Sequence, residues 1–213
     1  RQRERQAAWR LGGSVDGHVG LSGTVQAPRI FGRLQLRDGS YVSDLDRVPV
    51  TAMTASLVFD RTQATLDDFS ARFGGGSLTA HGSAAFAHGF GAYGDMEYAV
   101  HAVARGAQID LPAYGRGTID ATADLTRTAP GIALLAGTAT LSDAYLSLGS
   151  FLGAGGPTGP AVGGAPFNLG FDLKVVAGKN VRVRGGGYGA GLDIGAAGKA
   201  VLAGTLISPT LDG

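Results

Sequence analysis

Few residues in this chain could carry chemistry, and their spacings decide what each could do. Residues 185–190 read GGGYGA and satisfy G-x-G-x-x-A, the spacing of a loop that cradles a dinucleotide pyrophosphate. That chemistry needs a strand before the glycines and a helix after them, whose N-terminal N–H groups meet the phosphates. The residues that follow, GLDIGAAGKAVLAG, alternate and are broken by glycines, which predicts strand and not helix. With 37 glycines among 213 residues, such a match arises from composition. AGKN at 177–180 fails as a phosphate loop, because Leu173 stands where the first glycine belongs and Asn180 replaces Ser or Thr.

The four histidines, His18, His81, His88 and His101, form no i,i+4 pair and have no Cys or Glu beside them. A metal site would need partners that only folding could bring together, so none is assigned, and each histidine is expected on a polar face or at a strand end. Asp67 and Asp68 are adjacent, which on a regular strand sends them to opposite faces, the wrong arrangement for two carboxylates acting on one bond. Asp44 and Asp46 share a face, but turn chemistry accounts for them better. Glu4 and Glu97 are the only glutamates, and no serine sits in G-x-S-x-G. The reading is therefore no catalytic residue, no metal, no cofactor and no enzyme.

Composition narrows the alternatives. Net charge is +1 with 18 basic and 17 acidic side chains, so nothing marks a nucleic-acid binder, which concentrates basic charge on one face. The arginines stand near aspartates in sequence, as on a solvated face of mixed charge. No cysteine is present, which rules out disulfides and thiolate metal sites and is compatible with a bacterial periplasm. RQRERQAAWR is charged with no apolar core behind it, so it is not a signal peptide. No run of about 20 apolar residues could span a bilayer as a helix.

The positioning elements must then be strands. In GTIDATADLT, from Gly117 to Thr126, Ile119, Ala121, Ala123 and Leu125 alternate with Thr and Asp. In NLGFDLKV, Leu169, Phe171, Leu173 and Val175 alternate with polar residues or Gly, and HVGLSGTVQ, IFGRLQL, MEYAVHAVAR and NVRVR continue the pattern. Turn signals at RDGS 37–40, FGGGS 73–77, AHGFGAYGD 87–95, TAPG 128–131, AGKN 177–180 and GGGYGAG 185–191 predict many short strands, roughly 15 to 18 of six to eight residues. A short helix or linker is expected over 1–12 and a single repetitive β segment over 13–213, with a long Gly/Pro-rich loop at 149–166.

A ten-residue phrase recurs: GTVQAPRIFG at 23–32 and GTLISPTLDG at 204–213. Pro28 and Pro209 should mark corners or strand edges, and Gly32 and Gly213 should allow a sharp bend or a bulge. A partial echo follows Pro130, where Gly137 and Asp143 stand six apart, as Gly32 and Asp38 do. A start at Arg1 and an end within the repeated phrase lead us to expect a piece of a longer polypeptide.

With no amphipathic helix to cover them, the alternating strands must bury one face against another layer or a ligand. The inward candidates are Leu21, Val25, Leu34, Leu36, Leu57, Phe59, Ile119, Leu125, Leu169, Phe171, Leu173, Val181 and Val183. An aliphatic lining suits fatty acyl chains, which need burial area and no directed hydrogen bonds. A dry, closed sandwich or solenoid core would show the same pattern.

GTVQAPRIFGRLQLRDGSYV and GTLISPTLDG resemble the recurring G-T-L-x-x-P-x-L-x-G-x-L-x-L-x-x-G phrase of the TamB family, within the AsmA-like bacterial envelope proteins. KVVAGKNVRVRGGGYGAGLDIGAAGKAVLAGTLISPTLDG is similar to a segment near the TamB C-terminus. The resemblance implies an all-β fold: a long, curled, largely antiparallel sheet, a β-taco with an open apolar groove, built from irregular repeats. It implies no catalytic residues. It further implies a periplasmic protein tethered to the inner membrane, carrying phospholipid to the outer membrane, with membrane contact only through parts of the parent absent here. Phospholipid acyl chains and an Omp85-type outer-membrane barrel are the implied partners. Two other readings stay open: a scaffold or chaperone platform whose sheet edge pairs with outer-membrane protein strands, and an adhesive or structural β-solenoid.

Overall fold

The computed structural model describes residues 9–24, 28–43, 48–86, 96–111, 115–128, 131–147, 169–185, 192–195, 198–205 and 209–212. All of its regular structure is strand. The alternating segments become β1 (Trp9–Gly23), β2 (Pro28–Ser43), β3 (Val50–Arg61), β4 (Gln63–Phe73), β5 (Gly76–Phe86), β6 (Met96–Leu111), β7 (Gly115–Arg127) and β8 (Ala133–Ser147). They are followed by β9 (Leu169–Ala177), β10 (Arg182–Gly185), β11 (Leu192–Gly195), β12 (Lys199–Thr205) and β13 (Pro209–Asp212). Pro28 and Pro209 are the first residues of their strands, where a missing N–H costs no central ladder bond. Of the segment 1–12, residues 9–12 begin β1 and 1–8 lie outside the described residues, as do 149–166.

One sheet holds every strand, in the order β1-β2-β3-β4-β5-β6-β7-β8-β9-β12-β13, with β10 against β8 and β11 against β10. β1 and β13 are its two different edges, so the sheet is open and does not close into a barrel. β1 to β8 form an antiparallel meander of sequential neighbours, which is not the stacked-coil arrangement of a solenoid. Two hairpins have two-residue turns, Arg61–Thr62 between Asp60 and Gln63, and Gly74–Gly75 between Phe73 and Gly76. The FGGGS signal is thus a turn, and its glycines supply the positive φ that a tight hairpin needs.

The strands are longer than the turn signals predict: among the described residues there are 13, the first eight of 11 to 16 residues. RDGS at 37–40 is the clearest correction, because β2 runs straight through it. Asp38 adopts a left-handed conformation, φ 50°, inside the strand and forms a bulge against β3. An Asp-Gly pair provides that backbone shape equally for a hairpin or for a bulge. Asp143 does the same in β8, with φ 48°. The six-residue echo is therefore structural: Gly32 and Gly137 have φ of 139° and 152°, and each precedes a left-handed aspartate in its strand. Gly32 makes neither a bulge nor a corner; the register from Val19↔Gly32 to Leu21↔Ile30 is unbroken.

The Asp38 bulge also shifts the pairing with β1, and further bulges interrupt β3 between Thr51 and Thr54, β4 between Leu66 and Phe69, and β6 between Ala104 and Ala107. Each adds a residue on one side and bends its strand, so the sheet curls. At Gly106, φ 60°, the backbone N–H donates to Asp120 Oδ1 over 2.8 Å, which satisfies the donor the bulge frees. The curl is visible where a concavity of about 530 Å³ is lined jointly by Val48 and Pro49, just before β3, and by Asp143 on β8. A flat sheet would hold those strands roughly 24 Å apart.

β8 and β9 are parallel, with Ala133 opposite Leu169 and Leu141 opposite Ala177. Beyond the Asp143 bulge, β10 continues the same line, with Val183 opposite Leu146. A parallel neighbour cannot follow through a tight turn, and residues 148–168 make the connection. β12 and β13 return to antiparallel pairing.

Candidate functional site

The register lines up one apolar face across the sheet. Gly17, Leu34, Leu57, Leu66, Gly82, Val100, Leu125, Leu135 and Phe171 stand opposite one another on β1 to β9. The next row is Val15, Leu36, Ala55, Phe69, Ala80, Ala102, Ala123, Gly137 and Leu173. Directly paired residues share a face, so the two rows form a continuous floor without a charge. Over β5 to β8 the second row is all Ala and Gly: Ala80, Ala102, Ala123 and Gly137. Small residues are what the inside of a curve admits, because side chains there converge.

The other face is polar. On β7 the odd-numbered floor positions 119, 121, 123 and 125 are partly buried, while Asp120, Thr122, Asp124 and Thr126 are exposed. Thr79, Val103, Thr122 and Thr138 form a cross-strand row, and Thr54 Oγ1 lies 2.8 Å from Ser70 Oγ. The β-branched row of Thr79, Val103, Thr122 and Thr138 supplies strand preference that the Ala and Gly of the second floor row lack.

No second layer covers the floor among the described residues. The buried apolar residues are Val48, Ala64, Ala71, Ala107, Ala133, Ala139, Leu141, Ala144 and Val181, six of them alanine, and no large side chain is under 2% exposed. Apart from Val15 on the edge strand β1, which is exposed, the Leu, Phe and Val of the floor are partly buried. The closed part is small: Leu141, Ala144 and Val181 pack together, with Ile109, Leu146 and Ala177 against them.

The predicted lining residues fall into five groups. Leu34, Leu36, Leu57, Phe59, Ile119, Leu125, Leu169, Phe171 and Leu173 are partly buried on this one face. Leu21 is in register with them through Ile30 but is 74% exposed, because β1 is an edge. Val183 stands on β10 opposite Leu146 and is partly buried. Val181 differs: at 4% exposed it is filled in by Leu141 and Ala144 and does not line an open surface. The Asp143 bulge shifts this stretch, and Asn180, φ 55°, turns the chain inward just before it. Val25 lies outside the described residues. Sequence reasoning missed Leu66, Phe69, Leu78 and Val100; the signal was there as alternation, diluted by the Ala, Gly and Ser between them.

Folding does bring histidines together, on the polar face. The His81 and His101 rings are 5.3 Å apart, and His101 Nδ1 lies 2.7 Å from Asp124 Oδ1. These three form a ladder, each touching the next, and do not converge on a point; no group of three metal-ligating side chains suited to a metal occurs among the described residues. His18 is exposed on the same side, and His88 lies outside the described residues. Asp67 and Asp68 sit at a bulge in β4 and are both exposed, Asp67 pairing with Arg33 at 3.7 Å. Arg37 pairs with Asp16 at 3.7 Å, and Arg61 with Asp60 at 3.7 Å. All are surface pairs, worth about 0–1 kcal/mol each.

Among the described residues, charge meets the floor at its rim. Arg61 continues the floor beyond Ile30, and Arg127 lies opposite Tyr98. Arg127 donates from Nε to the Gly131 carbonyl at 3.0 Å and from a terminal nitrogen to the Met96 carbonyl at 3.2 Å, which holds that end of β6, β7 and the approach to β8 together. No helix of the described residues is long and apolar enough to cross a membrane.

No curated protein and no solved structure matches the chain. The family model for the TamB C-terminal domain matches residues 67–213, from β4 to the end and across the Ala/Gly floor. That match spans well over half of the sequence, and an open, curled, mostly antiparallel sheet is what it covers. The chain belongs to the TamB family of bacterial envelope proteins.

Proposed function

We propose that this chain is a lipid-carrying segment, whose apolar floor holds the acyl chains of phospholipids as they pass between the inner and outer membranes. One observation supports the reading above others: an uncharged face, in register over nine strands, with no layer above it among the described residues. Eleven strands in the main path give a trough about 48 Å long. Its area is on the order of 1,000 Å², more than a soluble protein leaves exposed without a use. An acyl chain spans about 15 Å, half of a bilayer's hydrocarbon core, so several fit along the trough.

Each methylene moved out of water contributes about 0.8 kcal/mol wherever on the floor it rests. Equivalent positions hold a chain without trapping it, which is what sliding requires. The phosphate head group stays in water at the rim, near Arg61 and Arg127. Membership of a bacterial envelope family is consistent with work in the periplasm; to this we add a parent chain tethered to the inner membrane and an Omp85-type barrel receiving the far end.

The test is lipid mass spectrometry on the chain purified without detergent, paired with transfer assays in the full-length parent. Phospholipid should co-purify. Phe171→Asp, which places a carboxylate on the floor that must stay solvated, should lower bound lipid and transfer severalfold while the sheet persists. A lipid-free preparation, or transfer unaffected by that substitution, defeats the proposal.

A further inference from the structure

The ends of the repeated phrase pair in the same register twice. Gly23 stands opposite Pro28, and Gly204 opposite Pro209. The match extends upstream at a constant offset: Leu21 lies opposite Ile30, and Leu202 opposite Leu211. Gly17 and Gly198 fall at the same offset and share an extended backbone of inverted sign, φ 147° and 137°, that glycine alone adopts readily. β12 is thus a second β1, and β13 a second beginning of β2.

The copies differ on their far side. β12 has β9 there, antiparallel, with Gly204 opposite Phe171, Leu202 opposite Leu173 and Ala200 opposite Val175. The Gly198 carbonyl accepts the Ala177 N–H at 2.9 Å. Among the described residues β1 pairs with β2 alone, and residues 10–24 are exposed on both faces, with Leu21 74% and Val15 63% exposed. Fifteen residues of edge, with Arg10 and Asp16 as the only formal charges, stay uncovered among the described residues; natural sheets more often shorten, cover or heavily charge such edges.

We propose that the free edge of β1 is a strand-acceptor site for an antiparallel polypeptide segment of the β9 pattern. The incoming strand places an aromatic opposite Gly23, aliphatics opposite Leu21 and Val19, and a backbone N–H on the Gly17 carbonyl. Its apolar side chains then join the floor, and its polar ones join the outer face. The pairing fixes register, because a slip by one residue would send every apolar side chain to the polar face.

The occupant is a strand from outside these 213 residues and not a second copy of the chain. β9, which carries the pattern here, is already paired along both edges, by β8 and β12. Residues 1–8, RQRERQAA, have no such alternation. The assignment does not depend on lipid binding, so either can fail without the other.

The chain has no cysteine, so disulfide trapping can report the register directly. The probe is a synthetic peptide of the sequence at 168–178, NLGFDLKVVAG, with cysteine replacing the residue at the Leu173 position. It is mixed with the Leu21→Cys chain under mild oxidation; position 21 is exposed enough to accept the change. Adduct should form about tenfold faster than with cysteine at the Asp172 position, which points to the other face. A second pair, Val19→Cys with cysteine at the Val175 position, should behave like the first. No adduct, equal rates for the two peptide positions, or equal trapping of a scrambled peptide overturns the proposal. Leu21→Cys homodimers forming as fast without peptide overturn it in favour of self-association.

Discussion

Asn180 Nδ2 donates to Asp143 Oδ1 over 2.8 Å, across the place where the line of strands beside β8 is interrupted. Both residues are left-handed, φ 48° for Asp143 and 55° for Asn180. Three backbone bonds close the same gap: Asp143 N–H to the Lys179 carbonyl, Ala144 N–H to the Asn180 carbonyl, and Gly178 N–H to the Leu141 carbonyl. β9 and β10 therefore act as one parallel partner with a deliberate insertion, and the insertion places Val181 in its closed cluster.

Replacing Asp143 by Ala removes the side-chain bond and puts a poor left-handed residue at the bulge. The expected cost is about 1–2 kcal/mol, read as a lower denaturant midpoint with unchanged slope. Asp143→Asn should cost less, since Asn tolerates the backbone and can still pair with Asn180. Equal midpoints for Ala and wild type would show that the backbone bonds alone hold the junction.

Gly137→Ala should be far more damaging than Gly75→Ala. A Cβ at 137 would lie 2.2 Å from the Thr122 carbonyl oxygen, whereas at Gly75 nothing lies within 4 Å, although its φ of 79° still disfavours Ala. We expect about 2–4 kcal/mol for the first and about 1 kcal/mol for the second. Thermal or chemical unfolding of the pair settles the comparison; a Gly75 cost equal to the Gly137 cost would assign the effect to backbone conformation and not to the close approach.

Filling the floor without charge separates blockage from polarity. Ala102 and Ala123 face each other in the middle of the trough. Ala102→Trp should reduce co-purified phospholipid severalfold and leave the circular dichroism of the sheet in place, because the new side chain enters open space above the floor. Undiminished lipid would mean that acyl chains do not pass over β6 and β7.

Neutralising a surface pair should do little. Arg37→Gln loses a 3.7 Å contact with Asp16 in which both side chains are 62% exposed. Stability should change by less than about 1 kcal/mol, and the change should shrink further in high salt. A larger loss in an unfolding experiment would imply that Arg37 supports the Asp38 bulge as well.

Much of this fold was readable before any coordinates. The alternation around Ile119 and Leu125, and around Phe171 and Leu173, identifies both strand and face, because side-chain period 2 follows from strand geometry alone. Pro28 and Pro209 locate strand starts for an equally local reason. What sequence obscures is non-local. Asp38-Gly39 has the same backbone preference whether it ends a strand or bulges within one, and only the β1 and β3 neighbours decide. Ala80, Ala102 and Ala123 look neutral in the sequence and become part of one continuous floor row through cross-strand register. Val181 belongs to an alternating NVRVR run, yet the insertion at 178–180 redirects it.

The parallel seam between β8 and β9 has a consequence for the order of assembly. β1 to β8 can zipper one hairpin at a time, each step closing a short loop at modest entropic cost. β9 cannot join that way; its pairing must wait for a distant segment to return along the length of β8, and non-local contacts of this kind are slow to form. The N-terminal meander should gain protection from hydrogen exchange first, and β9 to β13 should be the last region protected and the first opened.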